Sequence, residues 1–421
     1  MTSATDRENH IPFRKAAIVD MCATDQRLDP DDRDAFRRFC RILESVFHFE
    51  YHETLERLKE SYAPFNTCAD YRTVRTWSAE ERREAHEQLA RDLREVVEAA
   101  NYEEISEEVF EQALAEHTLL KIRLHVDFDD FDEVVFFRRG KHTATETFPQ
   151  FFGLRAKEVT FVNYERVLIY VKFKDAEHFD EKRRAELPVA PGSTIIKLFQ
   201  DVPRADLEML FPNTKVRMRT LDKLVIGVPA VAGAIAVLSS KVLASLGLLI
   251  VLIGFWLGLR DEPVQLDQAS LVALGGGLGA LGGYTWRQFN KFKTRKIRFM
   301  KMLSDNLYFK NLDNDVGVFH RLLDSAEEEE CKEAILAYFF LLTSSEPLDA
   351  RALDAVVEEW FAQRLGCQLD FEIHDALGKL ERLGLAQRVA DGYRALSLPD
   401  AKAVLDTRWD GYFDYAPSAV R

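Results

Sequence analysis

Cysteine is scarce in this sequence, and no two cysteines have metal-binding spacing. The five cysteines are odd in number and lie far apart, at Cys22, Cys40, Cys68, Cys331 and Cys367. This distribution excludes a disulfide framework and a C-x-x-C zinc site, and it is typical of packing residues in a reducing compartment. Glycine and proline number only 20 and 13, which excludes collagen-like and low-complexity chains.

Positive charge is also scarce. The chain has 56 Lys and Arg residues against 70 Asp and Glu residues, so its formal net charge is −14. This balance argues against nucleic acid as a partner, because phosphate contacts need clustered cations. The first ten residues hold charges of both signs and lack an apolar segment. We therefore expect no secretory or organelle-targeting leader.

Catalytic motifs are missing as well. The sequence has no G-x-S-x-G elbow, no P-loop and no Ser/His/Asp grouping. Residues 277–282 match G-x-G-x-x-G, but they lie inside an apolar run that cations follow, which is the wrong context for a dinucleotide site. These absences predict a protein that is not an enzyme and has no cofactor.

Two local patterns resemble metal sites but lack an essential feature. Residues 127–133 contain five carboxylates without the glycine and ligand spacing of a calcium loop, which favours a solvated strand edge. His48 and His52 are one helical turn apart, yet Glu50 does not have the position of the zincin base and no third ligand is identifiable. We predict no metal site at either place.

The middle of the chain contains three long uncharged runs. Residues 224–240, 242–259 and 268–286 carry no charge, and they are separated only by Lys241 and by the segment 260–267. A helix of 19 residues is roughly 28 Å long, close to the ~30 Å hydrocarbon core of a bilayer. These runs predict membrane-spanning helices.

The runs predict a transmembrane hairpin with two crossings, at about 242–260 and 266–286. Residues 224–240, which contain a proline, then form a re-entrant, interfacial or packed helix. A single long, broken first crossing over 224–259 is the alternative. Because both flanks are basic, the positive-inside rule places both on the cytoplasmic side. The flanking cations are Lys215, Arg217, Arg219 and Lys223 before the runs, and Arg287, Lys291, Lys293, Arg295, Lys296, Arg298 and Lys301 after them.

Glycines recur at intervals of four residues within two of the runs. Gly275, Gly279 and Gly283 share one helix face, and Gly254 and Gly258 repeat the spacing in the preceding run. This spacing allows close approach of two helix backbones. It predicts helix packing within the membrane or in a homo-oligomer.

The soluble regions predict an α+β fold around the membrane hairpin. Charged periodic stretches predict a helical N-terminal region over 1–120, and alternating β-branched and aromatic residues predict a small, mostly antiparallel sheet within 121–222. The transmembrane region follows over 223–286, and then a basic juxtamembrane helical segment over 287–327. Residues 328–421 form the C-terminal domain.

The C-terminal domain has a winged-helix pattern. Helices are predicted near 328–343, 350–365 and 371–383, and a hairpin surrounds Asp391 and Gly392. The third helix would be the recognition helix of a DNA-binding domain. It is acidic, and phosphate would repel it, so the domain is predicted to contact protein rather than DNA. Its charged residues are Asp370, Glu372, Asp375 and Glu381 against Lys379 and Arg382.

Several motifs together resemble an uncharacterised membrane-protein family. They lie at 202–223, 306–311, 329–334, 357–360 and 370–385. The family has bacterial and plant members, includes an animal mitochondrial transmembrane protein, and is usually drawn with two membrane helices. The resemblance extends over residues 120–390 and implies no activity or site residues, because none is established for the family. The longer apolar region before Asp261 is a departure from its pattern.

The combined prediction is an integral membrane protein of a bacterial inner membrane, with both soluble regions in the cytoplasm. Its function is predicted to be a non-enzymatic interaction or scaffold protein whose partners are the lipid bilayer, a second copy and a protein bound by the acidic C-terminal domain. One alternative is a small transport or channel-like oligomer. A third is a membrane-tethered enzyme with its site in the β-rich domain.

Overall fold

In the computed structural model of this chain, the described residues are 10–66, 69, 74–115, 123–150, 155–217 and 307–413, with scattered positions between 250 and 305. The chain divides into two compact units. The first comprises Met1–Ala113, Phe128–Arg204 and Lys310–Arg421, and the second comprises Leu114–Asp127 and Ala205–Phe309.

The N-terminal region of the first unit is helical, as predicted. Ser78 caps the third helix with a capping box: its hydroxyl accepts a hydrogen bond from Glu81 N, and the Glu81 carboxylate accepts one from Ser78 N. The apolar stripe of that helix is buried, with Leu89 and Val97 fully inaccessible. The helices are α1 (Lys15–Ala23), α2 (Arg33–Tyr62), α3 (Ala79–Ala99) and α4 (Glu107–Ala115).

A five-stranded antiparallel sheet follows in the order β1-β3-β4-β5-β7. β4 is one continuous strand, because pairing with β3 continues along its whole length. Residues 123–125 belong to a separate pair, β2 with β6. A short helix, α5 (Glu181–Glu186), precedes β5. The strands are β1 (Glu103–Glu104), β2 (Arg123–His125), β3 (Phe131–Gln150), β4 (Arg155–Phe173), β5 (Thr194–Pro203), β6 (Lys215–Arg217) and β7 (Asn311–Asn314).

The long helix α6 (Val316–Leu342) joins two hydrophobic clusters of the first unit. Its N-terminal half, including Phe319 and Leu322, packs with residues of α2, α3 and the sheet. Its C-terminal half packs with α1, α2 and the C-terminal helices, and the Tyr338 ring stacks on Phe39 with 4.1 Å between ring centroids. Because α6 contributes to both clusters, it fixes the C-terminal helices relative to α2 and α3.

The C-terminal elements end the first unit. Helix α7 (Ala350–Leu365) has the predicted bounds, with the Asp349 carboxylate accepting from Ala352 N and Gly366 in the left-handed conformation. Helix α8 (Ile373–Arg382) is two residues shorter at its N-terminus than predicted. The hairpin of β8 (Ala386–Val389) and β9 (Gly392–Ala395) follows, and α9 (Leu398–Gly411) ends the described chain.

The second unit contains the paired strands β2 and β6 and helical positions between 250 and 309. Asn213 Nδ2 donates to the Asp127 carbonyl over 2.7 Å and links the two parts of this unit. Several large apolar side chains at the described helical positions are exposed, including Trp256, Val272 and Trp286.

The predicted transmembrane hairpin is contradicted. Within the described ranges, no helix combines the length and the apolar character that a membrane crossing requires. The long helices α2, α3 and α6 carry charged residues, and the longest uncharged stretch of α6, residues 334–342, is too short for a ~30 Å hydrocarbon core. Most of the two predicted crossings, 242–260 and 266–286, and all of 224–240 lie outside the described residues.

This finding corrects three linked predictions. The fold class is α+β with a five-stranded antiparallel sheet, without a supported membrane hairpin. The assignments as an integral membrane protein and to a bacterial inner membrane rested on the same uncharged runs, and they are wrong for the same reason. An uncharged run has the composition of a membrane span, but composition alone does not establish a spanning helix.

Candidate functional site

The most concentrated buried charge in the described part of the first unit surrounds the ammonium group of Lys379. Lys379 Nζ lies 2.5 Å from Glu333 Oε2, 2.6 Å from Asp375 Oδ2 and 2.9 Å from Glu330 Oε1. The Lys379 side chain is 5% exposed and that of Glu333 is 3% exposed. Three carboxylates therefore face one cation, and two of them are removed from solvent.

Helical spacing brings these four side chains together. Glu330 and Glu333 are three residues apart on α6, and Asp375 and Lys379 are four residues apart on α8, so each pair lies on one helix face. The two helices pack against each other, which points the pairs at one another. Asn101 Nδ2 donates to Glu333 Oε1 over 3.4 Å.

The proton affinities in this cluster reflect burial and mutual attraction. Burial raises the pKa of Glu333 to about 7, although Lys379 opposes the shift. Burial also raises the pKa of Glu330, and the attraction of Lys379 offsets part of this rise. Burial alone would lower the pKa of Lys379, but Glu333, Glu330 and Asp375 together raise it above its ordinary value. Lys379 is therefore a permanent cation near neutral pH, while Glu333 can exchange a proton.

The cluster forms one wall of a pocket of about 730 Å³, which we call the acidic pocket. Helices α2, α3, α6 and α8 supply its lining. Its described lining has six carboxylates and two cations, so it is strongly negative. The charged lining residues are Glu50, Glu95, Glu98, Glu330, Glu372 and Asp375, with Lys379 and Arg382.

A second network fixes the rim of the acidic pocket. The Glu50 carboxylate accepts hydrogen bonds from Arg382 Nη1 at 2.9 Å, from Arg408 Nη2 at 3.1 Å and from the Tyr412 hydroxyl at 3.0 Å. These contacts connect α2 to α8 and to the C-terminal helix. Both cations of the lining, Lys379 and Arg382, are thus engaged with carboxylates of the same chain.

The arrangement also bears on metal binding. Oxygen atoms of Glu330, Glu333 and Asp375 lie within 4.8 Å of one another, which is a spacing that a cation could bridge. The ammonium of Lys379 already contacts all three carboxylates. A metal ion bound between these three carboxylates would therefore have to displace the lysine ammonium.

The sequence identified only half of this site. It marked Glu372, Asp375, Lys379 and Arg382 as a helix unsuited to DNA, and the structure places all four on the acidic pocket. It missed Glu330 and Glu333 as site residues, and also Glu50, Glu95 and Glu98. One signal was present: the acids at 327–330 and 333 run directly into a nine-residue apolar stretch, which predicts that the last of them are buried.

The predicted helix-packing glycines are not brought against other described groups. Gly254, Gly275, Gly279 and Gly283 occupy helical positions, and a Cβ added at any of them would meet no described atom within 4 Å. Gly258 lies outside the described residues. The packing of these glycines stays a prediction.

The predicted basic flanks are described only in part. Arg287, Lys293 and Lys301 are exposed at helical positions. Lys215 and Arg217 lie in β6. The remaining flanking cations lie outside the described residues, and they are Arg219, Lys223, Lys291, Arg295, Lys296 and Arg298.

In the two segments that resemble metal sites, several side chains form ion pairs with other residues of the chain. His48 Nδ1 lies 2.9 Å from Glu327 Oε2, and His52 is exposed. In the acidic segment 127–133, Asp129 contacts Lys174 at 2.8 Å. Asp130 is not on a solvated edge, because it is 3% exposed and accepts from Arg183 Nη2 at 2.5 Å.

Comparison with known proteins adds a family assignment for the middle of the chain. Residues 164–317 match a family described as a protein of unknown function, DUF3754. No solved structure matches the chain. The residues of the acidic pocket all lie outside the matched range. Residues 164–317 therefore contain a DUF3754 domain, for which no activity is described.

Proposed function

We propose that this chain is a non-enzymatic interaction protein whose acidic pocket receives a lysine or arginine side chain of a partner protein. The observation that carries this proposal is the composition of the pocket wall, in which six carboxylates accompany only two cations. A guest cation would reduce the repulsion among these carboxylates. The proposal extends to a protein partner for the C-terminal domain, because α8 forms part of the wall.

The contacts of Lys379 illustrate how a guest ammonium would be held. Carboxylates on two different helices surround it at distances of 2.5–2.9 Å. Glu95, Glu98 and Glu372 line the same pocket and extend the negative surface away from Lys379. A basic side chain entering the pocket would meet these three groups first.

Binding of a cation should release protons near neutral pH. Burial raises the pKa of Glu372, and the neighbouring Asp375 raises it further. Burial raises the pKa of Glu333 to about 7. A cation nearby favours the ionised form of both groups, so part of the bound protons would leave as the guest enters. Proton release is thus a second measurable property of this site.

The direct test is titration of the full chain with a short peptide of alternating lysine and glycine, followed by calorimetry in two buffers of different ionisation enthalpy. The glutamate–glycine peptide is the matched ligand control. We expect binding of the lysine peptide only, weakening with added salt because exposed charges are screened. Equal binding of both peptides, or no binding of the lysine peptide, would reject the proposal.

Paired substitutions locate the binding on the pocket. Glu95→Gln with Glu98→Gln removes two exposed charges of the lining without disturbing the buried cluster. Glu84→Gln with Glu87→Gln removes two exposed charges of α3 outside the lining. We expect the first pair to weaken binding about fivefold and the second pair to leave it nearly unchanged. The same effect for both pairs would indicate general electrostatic attraction instead.

The proposal also concerns the extent of the family resemblance, nucleic acid as a partner and self-association of the chain. We propose that the likeness extends from the DUF3754 domain to residues 120–390 and to relatives in plants and animals, and in its support the motifs at 329–334 and 370–385 supply residues of the pocket lining. Nucleic acid is not a proposed partner, since an acidic pocket repels phosphate. Self-association through Gly275, Gly279 and Gly283 is a separate proposal, and crosslinking of the full chain tests it.

A further inference from the structure

A second pocket of the first unit has the opposite charge. It has a volume of about 370 Å³ and lies where β1, β3, β4 and the start of α4 meet. Its described lining has three permanent cations, Arg138, Lys141 and Arg204, and one carboxylate, Glu104. In a chain of net charge −14, a pocket with this composition requires a local arrangement that gathers cations.

Gly140 lies between two of these cations on β3. Residues three apart on a regular strand point to opposite faces of the sheet, yet Arg138 and Lys141 line the same pocket. Between them, Gly140 has a φ of +65°, and a Cβ there would lie 2.7 Å from the Glu165 carboxylate. Pairing with β4 keeps its register on either side of this residue. The left-handed conformation suits glycine, and another residue type would be strained there.

The position of Arg138 is fixed by its neighbours. Its guanidinium pairs with the Glu103 carboxylate and lies over the Tyr164 ring, 5.5 Å from the ring centroid. Glu103 is itself paired with Arg138 across the β1–β3 ladder. The Arg138 side chain is 20% exposed, so it keeps a surface that a ligand can reach. A guanidinium fork held in this way is suited to an oxyanion.

Polar groups complete the lining. The Ser106 hydroxyl, the Thr143 hydroxyl and the imidazole of His142 face the same pocket. Ser106 caps the N-terminus of α4, accepting from Val109 N at 3.4 Å, and a helix N-terminus favours an anion. Glu165 lies 3.9 Å from His142 Nδ1 and Glu108 lies in the first turn of α4, so two carboxylates near the pocket weaken its positive potential.

We propose that this pocket binds a small ligand through a phosphate group. Two guanidinium groups, one ammonium and two hydroxyls match the several oxygens and double charge of a phosphate monoester better than the single charge of a carboxylate. The volume exceeds what a bare phosphate needs and leaves space for a small organic part. This inference does not depend on the acidic pocket, because the two pockets share no lining residue.

The test is a ³¹P NMR titration of the full chain at constant ionic strength, with inorganic phosphate and glycerol 3-phosphate as separate probes. We expect saturable binding of both, with dissociation constants in the millimolar range or below and tighter binding of the ester. Acetate at the same ionic strength should not compete. Absence of saturable binding, or competition by acetate as strong as that of phosphate, would overturn the proposal.

Substitutions then place the binding at this pocket. Lys141→Gln with Arg204→Gln should weaken binding of phosphate about tenfold or more, and Arg91→Gln, an exposed cation of α3 outside the pocket, should not change it. If the double variant does not fold, the single variant Lys141→Gln is titrated instead, because Lys141 is exposed. Its replacement should still weaken phosphate binding about threefold. Unchanged affinity in the folded variants would refute the assignment.

Discussion

Replacement of Lys379 by Met tests whether its buried ammonium stabilises the fold. The substitution keeps an unbranched side chain of similar length, so the packing between α6 and α8 should change little. Among the described contacts, Lys379 is the only cation within 3 Å of Glu330, Glu333 and Asp375, and the substitution removes it. The carboxylates would then have to remain ionised without a partner or bind protons.

The size of the effect follows from the exposure of each carboxylate. The side chain of Asp375 is 54% exposed, so water can replace its ion pair at little cost. The side chains of Glu330 and Glu333 are 12% and 3% exposed, so their loss of the ammonium is not compensated by water. Breaking a buried pair by removing one partner typically costs about 3–5 kcal/mol, and we expect a loss in this range at neutral pH.

Urea denaturation at neutral pH measures this loss as the change in the free energy of unfolding. Lys182→Met, at an exposed position of α5, is the control and should change it by less than about 0.5 kcal/mol. Adding Glu333→Gln to Lys379→Met should restore about 2 kcal/mol, because glutamine at this buried position needs neither a counter-cation nor a bound proton. A single Lys379→Met variant as stable as the control would refute the reasoning.

Three further predictions concern pH, a buried hydrogen bond and a strand glycine. Burial raises the pKa of Glu333 from 4.5 to about 7, so the folded state binds the extra proton and the contribution of Glu333 to stability falls as pH rises across that interval. Glu333→Gln should therefore reduce the fall in unfolding free energy between about pH 5 and about pH 8, and identical pH profiles would contradict this. Asp25→Ala removes the acceptor of Trp360 Nε1 at 3.0 Å and of Arg364 Nη1 at 2.7 Å, and thermal unfolding should show a loss of about 1–3 kcal/mol, whereas Asp29→Ala on the exposed surface should cost less. Gly140→Ala should lower the unfolding free energy by about 1–3 kcal/mol because of its φ of +65° and the Glu165 carboxylate, and Gly378→Ala, with open space around its Cβ position, should not.

Local signals predicted the elements whose ends depend on neighbouring residues in the chain. Asp349 and Gly366 bound α7 as predicted, because a cap and a left-handed glycine act within one helical turn. The strands within β3, β4 and β5 were predicted from their alternating residues. The start of α6 was missed by about twelve residues, because its N-terminal half is polar on one side and buries only its other side, which includes Val318, Phe319 and Leu322.

Partners distant in the chain could not be predicted in the same way. The strands β1 and β7 are four residues long or shorter, and only pairing with β3 and β5 makes them strands. The membrane prediction failed for a related reason. It relied on three uncharged runs within 224–286, and composition alone does not establish a helix of membrane-spanning length.

The two pockets explain why average charge is a poor guide to the partners of this chain. In the acidic pocket, helices from both ends of the chain bring Glu95 and Glu98 near Glu330 and Asp375, which are more than 200 positions away. In the basic pocket, Arg138 and Lys141 of β3 line the same cavity as Arg204, which follows β5. A net charge of −14 predicts the first kind of surface and argues against the second. Because potential near a binding group depends on charges within about a Debye length of 8–10 Å, each pocket is expected to select its ligand by its own lining, whatever the total charge.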